Sequence, residues 1–220
     1  MAIWSLWQAW GVRTVAGLVV AVACVVVAGC GGGGAPTTTT TEATTTEPSG
    51  DLIVFVSNRD DSIGPEIFVM NADGDQVRQL TDNDAWEAFP AWSPDGTRIA
   101  FVSGRDGDDE IFVMNADGTQ VRQLTDNDAW EAFPTWSPDG TRIAFNSGRD
   151  GDPEVFVMNA DGTQVRQLTD NDAVDGRPAW SPDGTRIALD RSATEIFVMN
   201  ADGTEVYSTG QEGWLPIWGG

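Results

Sequence analysis

Trp92, Trp136 and Trp180 stand 44 residues apart, and Asn71, Asn115 and Asn159 keep the same spacing before Asn200 follows after 41. A fixed period of this length marks an array in which each unit is one supersecondary element that buries its apolar faces only against its neighbours. Residues 92–135 agree with residues 136–179 at 36 of 44 positions, so the unit has been copied with little later change.

Within a unit, the residue types alternate between turn and strand. WSPDG is a turn signal, because Pro holds φ at about −65° and Gly closes the turn without steric cost. TRIAFVS then alternates as a strand, the polar GRDGDD follows as a loop, and EIFVMN is an apolar strand ended by the tight turn ADG. TQVRQL reads as a further strand, TDNDAWEA as a loop, and AFPTW as the strand that leads into the next WSPDG. Four short antiparallel strands in roughly 40–45 residues is the pattern of a propeller blade, and no helical periodicity competes with it. The fold class expected is therefore all-β, a β-propeller of four four-stranded antiparallel blades over residues 51–220.

The units PxWSPDGTRIAF, EIFVMNADGT and RQLT resemble the WD-like repeats of the TolB β-propeller family, over about residues 51–218. The resemblance implies a scaffold that binds protein without catalysis. The family's full-length members carry an α/β domain ahead of the propeller that the sequence does not show.

The ends of the array suggest how the ring closes. The first unit begins at LIVFVSNRD and lacks its WSPDG strand, while Trp214-Leu215-Pro216-Ile217-Trp218 places Pro216 and Trp218 at the spacing of Pro90 and Trp92. The C-terminal segment is thus expected to supply the missing inner strand of the first blade, a latch that removes the open edges of the sheet. Family members usually have more than four blades, so the other reading is an open half-ring that pairs with a second copy.

Ahead of the array, residues 1–29 carry one Arg and then an apolar run ending in small residues, as a secretory signal does. Val27-Ala28-Gly29-Cys30 resembles the bacterial lipoprotein box, which makes Cys30 the lipidated residue and places the protein at the outer side of a bacterial cell membrane. Residues 30–50, rich in Gly, Thr and Pro, read as a disordered linker between the lipid and the propeller.

Acidic residues number 34 against 12 basic ones, for a net charge of −22, so a nucleic-acid partner is excluded by like-charge repulsion. Every cation is Arg. With neither Lys nor His, the commonest general base and both amine nucleophiles are missing, which leaves only a carboxylate-based, glycan-active propeller as an enzymatic alternative. Near-identical repeats argue against it, because two catalytic carboxylates need unlike surroundings to separate their pKa values.

Antiparallel topology puts the TDND and GRDGD loops on one face. Asp82, Asp84, Asp126, Asp128, Asp170 and Asp172 gather there, with calcium as the candidate ion, since it takes six to eight oxygen ligands. Arg105 and Arg149 are the counter-ions if no metal is held. The repeated Trp92, Trp136 and Trp180 are expected to pack between blades. Trp86, Phe89, Trp130, Phe133 and Arg177 are the candidate partner-binding residues, because half of the eight differences between the two matched units fall in Trp130-Glu131-Ala132-Phe133. The partner class these suggest is a cell-envelope protein or peptide, of cationic or amphipathic character.

The lipidation reading carries its own test. Cys30→Ser should abolish lipid attachment and signal removal while leaving the propeller folded, because the 20-residue stalk separates anchor from core. Mass spectrometry of the membrane-derived protein reads the outcome, and an unmodified Cys30 in the parent would refute it.

Overall fold

A computed structural model describes residues 51–59 and 64–219. The signal segment 1–29, Cys30 and the linker 30–50 lie outside the described residues.

Among the described residues, fifteen strands form four antiparallel sheets, each built from consecutive strands. The first sheet holds β1 (Leu52–Ser57), β2 (Glu66–Asn71) and β3 (Arg78–Gln79). The second holds β4 (Glu87–Trp92), β5 (Arg98–Ser103), β6 (Glu110–Asn115) and β7 (Arg122–Gln123), and the third repeats it as β8 (Glu131–Trp136), β9 (Arg142–Ser147), β10 (Glu154–Asn159) and β11 (Arg166–Gln167). The fourth holds β12 (Asp175–Trp180), β13 (Arg186–Arg191), β14 (Glu195–Asn200) and β15 (Tyr207–Glu212). The chain is all-β, with the blade pattern the repeat implies.

The core lies between blades, not within them. Val54, Ile67, Leu80 and Trp92 pack with Ile99, Phe101 and Met114 at the first joint. Ala100, Val102, Ile111 and Val113 meet Trp136, Phe145 and Met158 at the second, and Val155, Val157 and Leu168 meet Trp180, Leu189 and Met199 at the third. Both faces of the middle strands are therefore covered, which is why RIAFVS is buried from Ile99 to Ser103 although its sequence alternates. The repeated tryptophans are joint residues as expected. Two of them also anchor the joint by a hydrogen bond: Trp136 Nε1 donates to Ala91 O at 3.1 Å and Trp180 Nε1 to Thr135 O at 3.3 Å. Arg98 and Arg142 of the preceding blade stack on those two rings at 4.6 and 4.5 Å.

Turn chemistry repeats with the blade. In SPDGT, Ser93 Oγ donates to Asp95 Oδ1 at 2.6 Å, Thr97 N donates to the same oxygen at 3.1 Å, and Gly96 takes φ +68°. These donors hold the Asp95, Asp139 and Asp183 carboxyls down to about 2. In the ADGT turns, Asp117 and Asp161 accept from Thr119 and Thr163 in the same way.

The outer strands are shorter than TQVRQL suggests, with two paired residues in each of the first three blades. Thr81, Thr125 and Thr169 end them. Each hydroxyl takes the bond that a longer ladder would have made, accepting from the amide of Ile67, Ile111 or Val155 at 2.8–2.9 Å. The fourth unit has no such Thr, and β15 runs for six residues, all exposed.

The latch does not form. The first sheet has three strands, none of them touches a strand of the fourth sheet, and residues 213–219 contain no strand. The segment instead continues the series onto the fourth blade: Trp218 Nε1 donates to Ala179 O at 3.0 Å, Arg186 stacks on its ring at 4.9 Å, and Leu215 takes φ +56° as Phe89, Phe133 and Arg177 take +50°, +53° and +49°. Spacing identified what kind of strand the segment is. The pitch of the packed joints leaves it on the neighbour it already has.

Replacing Thr125 by Val keeps the shape but leaves the buried Ile111 amide without its acceptor, so urea unfolding should show a loss of about 1–3 kcal/mol, whereas Thr125→Ser should lose far less.

Candidate functional site

The TDND loops build a network that the sequence does not announce. Asn83 bonds in three directions: its amide donates to Glu66 Oε1 at 3.0 Å, its Nδ2 to Glu87 Oε1 at 2.8 Å, and its Oδ1 accepts from Ala85 N at 2.9 Å. Glu66 belongs to one blade and Glu87 to the next. Asn127 joins Glu110 to Glu131, and Asn171 joins Glu154 to Asp175, in the same manner. All six carboxylates are buried. Cations cover one of each pair: Arg105 reaches Glu87 at 3.1 Å, Arg149 reaches Glu131 at 2.9 Å, and Arg191 reaches Asp175 at 2.6 Å. Arg105 and Arg149 thus neutralise strand carboxylates, not the loop aspartates.

The loop aspartates Asp82, Asp84, Asp126, Asp128, Asp170 and Asp172 are exposed. Among the described residues no three acidic side chains converge as a metal site requires, and the Asn between each pair is committed to the network. These aspartates stand as separate exposed charges, a rim set by the loops that carry them.

Just inside that rim the five candidate partner residues divide. Phe89 and Phe133 meet with ring centroids 4.3 Å apart and planes tilted by 46°, and the Arg177 guanidinium lies 5.5 Å from the Phe133 centroid. All three sit at left-handed bulges of consecutive inner strands, where Pro at the next position has no amide to offer and the pairing with the neighbouring strand skips. Trp86 and Trp130 have a different role. Each indole packs against the glycine of its GRDGD loop so closely that a Cβ on Gly104 or Gly148 would lie 2.7 Å from the ring nitrogen. Burial raises the Asp109 carboxyl, and the Trp86 indole donates to it and partly offsets the rise.

Two further residues belong to the inner wall. Arg177 pairs with buried Asp190 at 3.4 Å, and its amide donates to Asn146 Oδ1 at 2.7 Å. Asn146 Nδ2 in turn donates to Asp175 O at 2.6 Å. The signal for them is present in the repeat, since Val56 and Val102 give way to Asn146 and Asp190 at the same place in the strand. The wall is aromatic at blades two and three and turns polar at blade four.

Stacked antiparallel blades around an inner wall define a propeller. A family model described as the TolB beta propeller domain, PD40, matches residues 35–137 and 130–215, and the chain belongs to that family. A protein TolB homolog of Chlorobium luteolum is 49% identical over 61 residues, 26% of this chain and 14% of that protein. Dipeptidyl-peptidase 5 of Porphyromonas gingivalis is 48% identical over 42 residues, 19% of this chain and 6% of the other. The chain thus spans a small part of the length of these relatives. Among solved structures, the putative TolB from Agrobacterium tumefaciens superposes with a TM-score of 0.67 at 24% identity, over 76% of this chain and 66% of that one.

The carboxylate pairs make stability depend on pH in a definite direction. Burial, with Glu131 beside it, pushes Glu110 up to about 8, and burial likewise raises Glu87 and Glu154. A carboxyl whose pKa is higher folded than unfolded binds more protons in the folded state, so its contribution is present below about 4.5 and is lost as pH rises toward 8. The turn aspartates act oppositely, and their contribution is lost as pH falls from about 4 toward 2. The urea midpoint should therefore rise on going from pH 8 to pH 5 and fall again below pH 4. Glu110→Gln, which keeps an acceptor for Asn127 N, should flatten the upper limb and stabilise the protein at pH 8.

Proposed function

We propose that this chain is a non-catalytic binding module on the outer side of a bacterial cell membrane, held there through Cys30, and that its partner is a protein or peptide of the cell envelope. The observation that carries the reading is the Phe89, Phe133 and Arg177 column. Each of these residues stands at the same left-handed bulge, so the backbone is constant while the side chain varies. Constant geometry with variable chemistry is what a recognition surface needs, and aromatic residues with Arg are the types that dominate interface energetics. The rim of exposed aspartates favours a partner with positive charge, and it would speed the encounter at low ionic strength. A protein-binding propeller fits the TolB beta propeller family to which the chain belongs. The absence of Lys and His, together with buried carboxylates that are spent on joints, supports a role without catalysis.

Capture from a cross-linked native envelope by the full chain tests the reading. Phe133→Ala with Arg177→Ala should weaken capture at least tenfold while Val121→Ala, at an exposed position away from the inner wall, should not, and equal capture by both variants would refute the assignment.

A further inference from the structure

Among the described residues the first blade has three strands, and the residues along β1 show an uncovered edge. Ile53 is 40% exposed and Val56 37%, whereas their counterparts Ile99 and Val102 in the second blade are fully buried. The first joint also lacks an acceptor. At the other joints the indole N–H of the inner-strand Trp donates to the carbonyl just before the Trp of the preceding inner strand, as Trp136 does to Ala91, Trp180 to Thr135 and Trp218 to Ala179. Trp92 Nε1 is buried and has no partner.

At the other end stands a segment with the sequence of an inner strand but no strand pairing. Residues 214–218 have the inner-strand sequence, the bulge at Leu215 and the Trp218 bond, yet Trp214 is 63%, Leu215 54% and Ile217 90% exposed. By the rule of the three other joints, the carbonyl that Trp92 lacks is that of the residue before Trp218, which is Ile217.

We propose that these two edges are the two halves of one interface between two copies of this chain, in which 214–218 of each copy adds to β1 of the other and the two four-blade arcs close into a single ring. The register follows from the blades: Ala91 faces Ala100 and Trp92 faces Ile99 in the second, with the same pairing in the third and fourth. Ile217 of one copy therefore faces Val54 of the other, Trp218 faces Ile53, and Ile217 O accepts from Trp92 Nε1. Closure within one chain is opposed by the joints themselves. Fully buried residues such as Ile99, Phe101, Ile111, Phe145, Ile187 and Leu189 fill them, and bending the arc until its ends met would open packing that has no slack. Exchange between two copies satisfies the same edges without touching a joint, and reciprocal pairing makes the assembly finite. Gly213 stands where Glu87, Glu131 and Asp175 stand in the other inner strands, so the seam carries no buried ion pair and is the weakest joint of the ring.

The test uses the full chain in mild detergent with Cys24→Ser and Cys30→Ser, so that added thiols are the only ones. One copy carries Val54→Cys, a second and differently tagged copy carries Ile217→Cys, and facing strand positions lie within disulfide reach. Mild oxidation of the mixture should give a disulfide joining the two tags, and Ile217→Asp in the unlinked chain should weaken the dimer at least tenfold in a dilution series read by native mass spectrometry. A chain carrying both cysteines that forms only an internal disulfide would show closure within one copy and overturn the proposal. So would the absence of any disulfide together with rapid, concentration-independent hydrogen exchange along β1.

Discussion

Every blade of this protein depends on the seating of one indole on the blade before it. A four-stranded sheet with two apolar faces cannot bury either alone, and here each cluster of buried residues is shared by two sheets. The tryptophan closes that cluster and fixes its pitch, since its ring fills the joint while, at every joint after the first, its N–H is held by a carbonyl of the preceding inner strand. Stability is then close to a sum over nearest neighbours, and it falls off at the ends, where one neighbour is absent. The exposures of Ile53 and Ile217 measure that loss at both ends of the array.

Apolar packing alone would let blades slide, and the buried carboxylates prevent it. Glu66 and Glu87 come from adjacent blades and meet on one asparagine, so the distance between blades is set by hydrogen-bond lengths. Burying two carboxylates side by side is costly, and three features offset the cost: an Arg on one member, amide donors on the other, and retention of a proton by Glu110, whose pKa is raised to about 8. Glu66 Oε2 remains unpartnered at the first joint, where the incoming side of the network is incomplete. Cations are also used twice. Arg105 and Arg149 each bond a carboxylate and lie over a phenylalanine ring of the same blade at 4.7 Å, which places nearly all of the few positive charges in structural work.

Much of this was legible because a repeat reports its own structure several times. Strand order, the two turn chemistries and the joint role of Trp92, Trp136 and Trp180 all follow from residue types at fixed spacing. What escaped the sequence shares a cause: each miss concerns which partner a group takes when two are available. Asp82-Asn83-Asp84 reads equally as ligands or as a turn, and only the fold brings Glu66 and Glu87 to the asparagine between the acids. TQVRQL has strand residues throughout, but Thr81, Thr125 and Thr169 capture the ladder amide and end it. Trp86 and Trp130 resemble surface aromatics until the glycines of the GRDGD loops are seen to press against them. Periodicity shows that 214–218 is an inner strand, yet it is silent about whose.

The same periodicity shows which positions of a repeat protein of this kind are free to vary. Substitution at a joint disturbs two blades, and substitution in a turn loses the Asp-centred bonds that define it, so neither position is free to vary. The bulge is different. Its left-handed backbone is enforced by the proline that follows and by the pairing on either side of the skip, so the same backbone carries different side chains. Phe89, Phe133, Arg177 and Leu215 occupy it in turn, changing the wall from aromatic to cationic to aliphatic around one arc with no change in backbone. Asn146 and Asp190 show what such a change requires of its surroundings. Arg177 is accompanied by an acceptor for its amide and a carboxylate for its guanidinium at a strand position that is Val where the bulge residue is Phe89. A cation placed on this wall without them would face either bare valine or the aspartate rim, so the three residues form one structural unit and would have to change together.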